Sequence, residues 1–251
     1  MSELSVKTDG SIRHLTLNRP EKRNALNDSL VAALKRALRD ADADENLRAI
    51  VINGAGKDFC SGADLSALQK ISESNYEENL EDARGLAELF SIIRMVKIPV
   101  VSAVHGRALA GGCGLATGCD IVLSTNTARF GYPEVKIGFV PAIVTAILRR
   151  NVSEKQAFEL ITQGFEFSAA EAKDYGLINR IFAEATFESD VKNYLSVYEN
   201  VSRSAVMLSK KLLYEMDGMT FDDALELGAE INAAARMTDD CKAGIEKFLK
   251  K

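Results

Sequence analysis

Histidine is scarce in this chain of 251 residues, where only His14 and His105 occur. The four cysteines, Cys60, Cys113, Cys119 and Cys241, include no CxxC pair and show no dense spacing. So few imidazoles and such scattered thiols argue against a zinc site and against a disulfide framework, and no metal is expected. Long apolar runs are missing too, none reaching the ~18 residues that a membrane-crossing helix needs. The opening segment, MSELSVKTDGSIRHL, has no apolar core of the signal-peptide kind. A cytoplasmic address with reduced thiols is the expectation. A basic excess is also lacking. At a net charge of −5 the overall field repels nucleic acid and anionic membrane. Any anionic ligand must then be held by a local cluster of donors. Neither histidine has a recognisable triad partner, and no nucleophile–base pair stands out.

What is present is ordinary for a globular protein, with 47% hydrophobic and 27% charged residues. The length suffices to bury a sizeable core. Residues 11–17 alternate Ile12, His14 and Thr16 against Arg13, Leu15 and Leu17, which predicts a strand. Asn27 or Asp28 then caps a helix whose apolar face is Leu30, Leu34, Ala37, Leu38 and Ala41. Residues 47–53 predict a buried strand that ends in Gly54-Ala55-Gly56. The order repeats: a helix over 80–96 stopped by Pro99, a strand over 99–104, a small-residue helix over 111–117 and a short strand over 121–124. Recurring strand and helix predict α/β architecture. Beyond residue 197 the pattern is helical alone, over 201–216, 220–237 and 239–251. Thr220 with Asp223 resembles a capping box, and Asp239 or Asp240 is the expected cap of the last helix. The expected division is a core over 1–196 and a helical region over 197–251. That region reads as a packing or oligomer module, because faces such as Ala224, Leu225, Leu227, Ile231 and Ala234 need not be buried internally.

Three segments look over-specified for loops. The first, Asp58-Phe59-Cys60-Ser61-Gly62-Ala63-Asp64-Leu65, follows a buried strand. Its small residues admit a ligand to the backbone, and the N–H groups of Ala63 and Asp64 are expected to open the next helix, where negative charge is favoured. The second, residues 106–116, holds Gly106, Gly111, Gly112 and Gly114. A plain turn needs one or two glycines, so the others suggest close approach of a substrate or of another backbone. A Walker loop fails here, since Cys113 and Gly114 follow Gly112 in place of Lys and Ser/Thr. A dinucleotide fingerprint, Gly112-x-Gly114-x-x-Thr117 with Glu134 about 20 residues on, fits better. Against it, Thr117 stands where glycine or alanine should pack, and the strand ends too early, near Val104. In the third segment Pro133 stiffens the chain at Glu134, amid Phe130, Val135, Ile137 and Phe139. Desolvation there would raise a carboxyl pKa towards general acid/base use; the alternative is a solvated glutamate paired with Lys136. Two glycine loops aiming two N–H groups at one oxygen, beside one half-buried carboxylate, suit stabilisation and protonation of a thioester enolate.

At these residues the chain resembles the crotonase superfamily of enoyl-CoA hydratases and isomerases. The match runs through Asn18-Arg19-Pro20, Asn24-Ala25-Leu26, Ser61-Gly62-Ala63-Asp64 and the segment 106–120. It continues through Tyr132-Pro133-Glu134-Val135-Lys136-Ile137-Gly138, Ala169-Ala170-Glu171-Ala172 and Gly176-Leu177-Ile178-Asn179. The resemblance implies a spiral of β–β–α turns and a C-terminal helical trimerisation region, assembled as a homotrimer or dimer of trimers. It implies an acyl-CoA substrate, no cofactor, and Ala63 and Gly111 as backbone oxyanion donors. Substrate contacts are implied for Lys22, Arg23, Ala25, Ser61, Gly62, Ala63, Asp64, Leu65, Gly111 and Gly114, with Phe248 and Lys251 reaching the neighbouring subunit's CoA. Glu134 matches one catalytic glutamate of the family's hydratases, but Gly114 stands where the other would be. One carboxylate suffices for a 3-enoyl to 2-enoyl isomerase. The run 131–140 resembles a bacterial hydratase branch, including methylglutaconyl-CoA hydratases, that also carries glycine there. The hydratase reading leads on that analogy, with Glu73, Glu77, Glu78 and Glu81 as replacement acids. A non-catalytic CoA-binding protein is the reading outside catalysis, and it would not need Glu134.

Overall fold

The sheet begins with a hairpin that sequence periodicity reveals only in half. In the computed structural model, which describes residues 2–250, β1 (Leu4–Asp9) pairs antiparallel with β2 (Ile12–Leu17). β1 has a single buried residue, Leu4, so it carries almost no apolar alternation. The chain then crosses over through α1 (Asp28–Ala43) to β3 (Ala49–Gly54), parallel to β2. Asn27 caps α1 by accepting from Leu30 N at 2.8 Å, and Leu30, Leu34, Ala37, Leu38 and Ala41 form its buried face.

A second crossover runs through α2 (Leu65–Glu73) and α3 (Tyr76–Met95) to β4 (Val100–Val104). α3 starts before the periodic stretch, because Asn75 and Glu78 form a reciprocal capping box. β5 (Arg107–Leu109) lies inside the glycine loop and leads directly into α4 (Gly111–Thr117). β6 (Ile121–Thr125) returns to the main sheet, and β7 (Arg129–Gly131) pairs with β5. After α5 (Ala142–Asn151) and α6 (Glu154–Gln163), β8 (Glu166–Ser168) completes a three-stranded sheet in the order β5-β7-β8. α7 (Ala169–Asp174) and β9 (Arg180–Phe182) close the main sheet as β1-β2-β3-β4-β6-β9. This is the expected α/β spiral. Its parallel strands are covered on both faces and read as apolar runs, as Val100–Val104 does.

The C-terminal helices are α8 (Phe187–Leu195), α9 (Arg203–Glu215), α10 (Phe221–Met237) and α11 (Asp239–Leu249). A buried polar latch docks α9. Lys210 Nζ donates to the Ile93 and Ile98 carbonyls and pairs with Asp120 at 2.7 Å, while Tyr214 donates to the same carboxylate. Burial lowers the Lys210 pKa, and Asp120 opposes that shift. By contrast, α10 and α11 contain no buried residue. One expectation needs correction here. Thr238, not Asp239 or Asp240, caps α11, while Asp240 accepts from Ser202 and Ser204. The apolar face of α10 is not buried within the chain: Ala224, Leu227 and Ile231 are half-buried, and Leu225 and Ala234 are exposed. Among the described residues no helix is long and apolar enough to cross a membrane.

Candidate active site

The first glycine loop is stitched to the second. Cys60 N donates to Arg107 O at 3.1 Å, and Leu109 N donates back to Cys60 O at 2.9 Å. Gly62 follows with φ +94°, a left-handed conformation that favours glycine. Leu26 N then donates to Gly62 O (2.7 Å) and Asp64 N to Leu26 O (2.9 Å). These bonds straddle Ala63, whose own N–H has no acceptor among the described residues. Thus Ala63 N–H stays available, but the N–H of Asp64, expected beside it as a donor, is consumed. The Asp64 side chain is consumed as well. It caps α2 through Ser66 N and pairs with Arg19 at 2.6 Å. The Ser66 amide bond foremost, with Arg19 assisting against desolvation, holds its pKa at about 2.

The second loop turns sharply at Ala110, whose N–H donates to Gly131 O at 2.8 Å. Ala110 has φ 51° and ψ −129°, a strained conformation for a residue with a side chain. That turn opens α4 at Gly111, whose N–H has no intrahelical partner and no other acceptor among the described residues. The loops touch: a Cβ at Gly62 would stand 2.8 Å from Ala110 Cβ and 3.7 Å from Gly111 N. Two unpaired N–H groups therefore sit on abutting turns. Gly112 and Gly114, the glycines of the dinucleotide fingerprint, are buried in the first turn of α4. A side chain at Gly112 would run into the Cys60 backbone, so that glycine serves close backbone approach.

Glu134 sits on a 3-10 turn, Pro133–Ile137, anchored by the buried Tyr132. Its carboxylate is half-buried, and Oε2 has no hydrogen-bond partner among the described residues. Burial raises its pKa, countered only by its own backbone amide. No salt bridge to Lys136 occurs among the described residues. Ala63, Gly111 and Glu134 all line one cavity of about 1690 Å³, whose walls also include Leu26, Leu68 and Val144.

Ser61 lines the same cavity, with its N–H tied to Arg23 O at 3.1 Å. Ala25 and Gly62 are buried behind it. Lys22 and Arg23 are exposed outside the lining, and so is Phe248, which is 78% exposed on α11. Lys251 and the Leu65 side chain lie outside the described residues. Of the proposed replacement acids, Glu73, Glu78 and Glu81 reach the lining and Glu77 does not. Asp82 was not singled out in the sequence, yet it lines the cavity with a pKa raised mainly by desolvation. Its only sequence signal is its place one residue after Glu81. The Cys60 and Cys113 thiols are pushed up to about 12 by burial, so neither offers a thiolate.

Gly114 leaves no room for an acid. A Cβ there would overlap the Val144 side chain and stand 3.4 Å from Phe90 Cζ. Gly114→Ala is expected to destabilise by about 1–3 kcal/mol, the usual scale of overpacking. Val144→Ala in the same chain should recover part of that loss, as chemical denaturation would measure. The constellation can hold negative charge on one oxygen and move a proton beside it.

Known proteins resemble this chain over nearly its whole length. Residues 7–251 match the family described as enoyl-CoA hydratase/isomerase. A Thermus thermophilus protein, provisionally named an enoyl-CoA hydratase, is 41% identical over 96% of this chain and 96% of its own. The 2,3-dehydroadipyl-CoA hydratase of Escherichia coli is 32% identical, covering 100% of this chain and 97% of that one. The crystal structure of an enoyl-CoA hydratase from Mycobacterium smegmatis superposes with a TM-score of 0.95 at 31% identity, covering 99% and 96%.

Proposed function

The chain belongs to the enoyl-CoA hydratase/isomerase family, and from that premise we propose that it is an enoyl-CoA hydratase, adding water reversibly to a 2-enoyl-CoA thioester. One observation carries the reading. Two unpaired N–H groups, from Ala63 and Gly111, open onto the cavity that also holds the desolvated carboxylate of Glu134. The thioester oxygen accepts from both N–H groups and takes the negative charge as the enolate forms. Glu134 removes a proton from water as its oxygen adds to C3, and the protonated carboxyl then delivers that proton to C2. Charge and atoms balance with a single carboxylate and no cofactor. Ser61 and Leu26 contribute the wall against which the thioester lies, and the exposed Lys22 and Arg23 meet phosphate from outside the cavity.

A second reading rests on Gly114. With Val144 filling that space, the same carboxylate is equipped to shuttle a proton between C2 and C4 of a 3-enoyl thioester. Product analysis with matched 2-enoyl- and 3-enoyl-CoA thioesters separates the two. The hydratase reading expects 3-hydroxyacyl-CoA from the 2-enoyl substrate. Isomer formation from the 3-enoyl substrate without hydration would replace it.

A cytoplasmic role in fatty-acid β-oxidation and a homotrimer or dimer of trimers belong to the same proposal, with residues 197–251 as the assembling region. Exposed Phe221, Leu225, Met237, Ile245, Phe248 and Leu249 on α10 and α11 support the assembly. Light scattering at micromolar concentration should give three or six times the chain mass. A monomer alone would reject it.

A further inference from the structure

The motif Asn18-Arg19-Pro20 to Asn24-Ala25-Leu26 contributes only Leu26 to the cavity wall, yet it holds a dense polar knot. The Arg19 side chain is 10% exposed. Its guanidinium donates to Ala25 O at 2.6 Å and to Asp64 Oδ2 at 2.6 Å, and pairs with Glu3 Oε1 at 3.0 Å. Its backbone N–H donates to Asn24 Oδ1 at 2.9 Å, while Asn24 Nδ2 donates to Ala55 O and Asp58 O, both at 2.8 Å. Arg23 and Asn24 are both left-handed, with φ of 50° and 55°. Such strain persists where the surroundings over-determine the backbone.

The placement of the two acceptors gives the knot its meaning. Ala25 immediately precedes Leu26, and Asp64 immediately follows Ala63. Leu26 and Ala63 face each other across an isolated parallel bridge. The guanidinium therefore ties together both strands of that bridge, one residue away from each member. We propose that Arg19 is a positioning residue of the site: through Asp64 and Ala25 it fixes the direction of the Ala63 N–H. A guanidinium fork reaches two acceptors in a fixed plane, and an ammonium does not reproduce that geometry. Arg19 does not touch substrate; it acts on the donor. The inference rests on the reading of Ala63 as an oxyanion donor.

The test uses the full-length protein with butyryl-CoA, unreactive to hydration and labelled with ¹³C at the thioester carbonyl. Wild type, Arg19→Lys and Asp64→Asn are compared by infrared spectroscopy of the bound probe, alongside kcat and KM on a 2-enoyl-CoA. Wild type should lower the carbonyl stretch on binding. Both variants should lose at least half of that shift, with kcat down about 10–10²-fold, short of the loss of a whole donor, and KM within about threefold. Asp64→Asn keeps side-chain size and the helix cap, so it carries the test if Arg19→Lys fails to fold. Folded variants with the wild-type shift and kcat would overturn the proposal, as would a rise in KM alone. A wild-type complex with no shift would overturn the oxyanion reading beneath it.

Discussion

Replacing Glu134 by glutamine is expected to lower turnover by at least ~10²-fold, the usual scale for losing a general acid/base. Acyl-CoA binding should change little, because backbone N–H groups hold the thioester oxygen. Glutamine keeps the size of the side chain but cannot exchange a proton near neutral pH. The variant should also be more heat-stable than wild type at neutral pH. Burial raises the Glu134 pKa, so between its unfolded and folded values the native protein binds more protons than the unfolded chain. Stability therefore falls as pH rises through that window and stays lower above it. Glutamine has no such titration, and the advantage should vanish at pH values below the ordinary carboxylate range. Steady-state kinetics with thermal unfolding at two pH values checks both halves. Full turnover in a folded variant would move attention to Asp82 and Glu81.

Gly111→Pro should cost ~10²–10³ in kcat, the typical loss for one oxyanion donor. Proline has no N–H, and it disfavours many conformations of the residue before it. Here that residue is Ala110, already at φ 51°. Gly111→Ala supplies the control. A Cβ at Gly111 would meet only Leu26 Cδ1, at 3.6 Å, and the N–H remains. Alanine should leave turnover near wild type while proline removes it. Equal activity in the two folded variants would show that Gly111 N–H is not a donor.

The parts legible in the sequence are those written in local periodicity. The buried face of α1 is legible residue by residue, and α4 runs from Gly111 to Thr117 as its small residues predict. β1 was not legible, because an edge strand with one buried residue lacks apolar alternation. β5 is three residues long, and only its distant partners, Cys60 and β7, make it a strand. Within the site, Glu134 and the two loops stood out through proline, glycine and apolar neighbours. The fate of Asp64 did not. Its carboxylate is committed to Arg19, 45 positions away, and no spacing rule links the two. The filling of the Gly114 space by Val144 is equally long-range, so sequence showed a missing acid but not the closed gap behind it.

The most direct measurement is incubation of the wild-type chain with a 2-enoyl-CoA in deuterated water, with the product read by mass spectrometry and NMR. If Glu134 relays a water-derived proton to an enolate held by Ala63 and Gly111, the product is 3-hydroxyacyl-CoA with one deuteron at C2 on a single face. A folded protein that binds the thioester but forms no deuterated 3-hydroxyacyl-CoA would contradict the account.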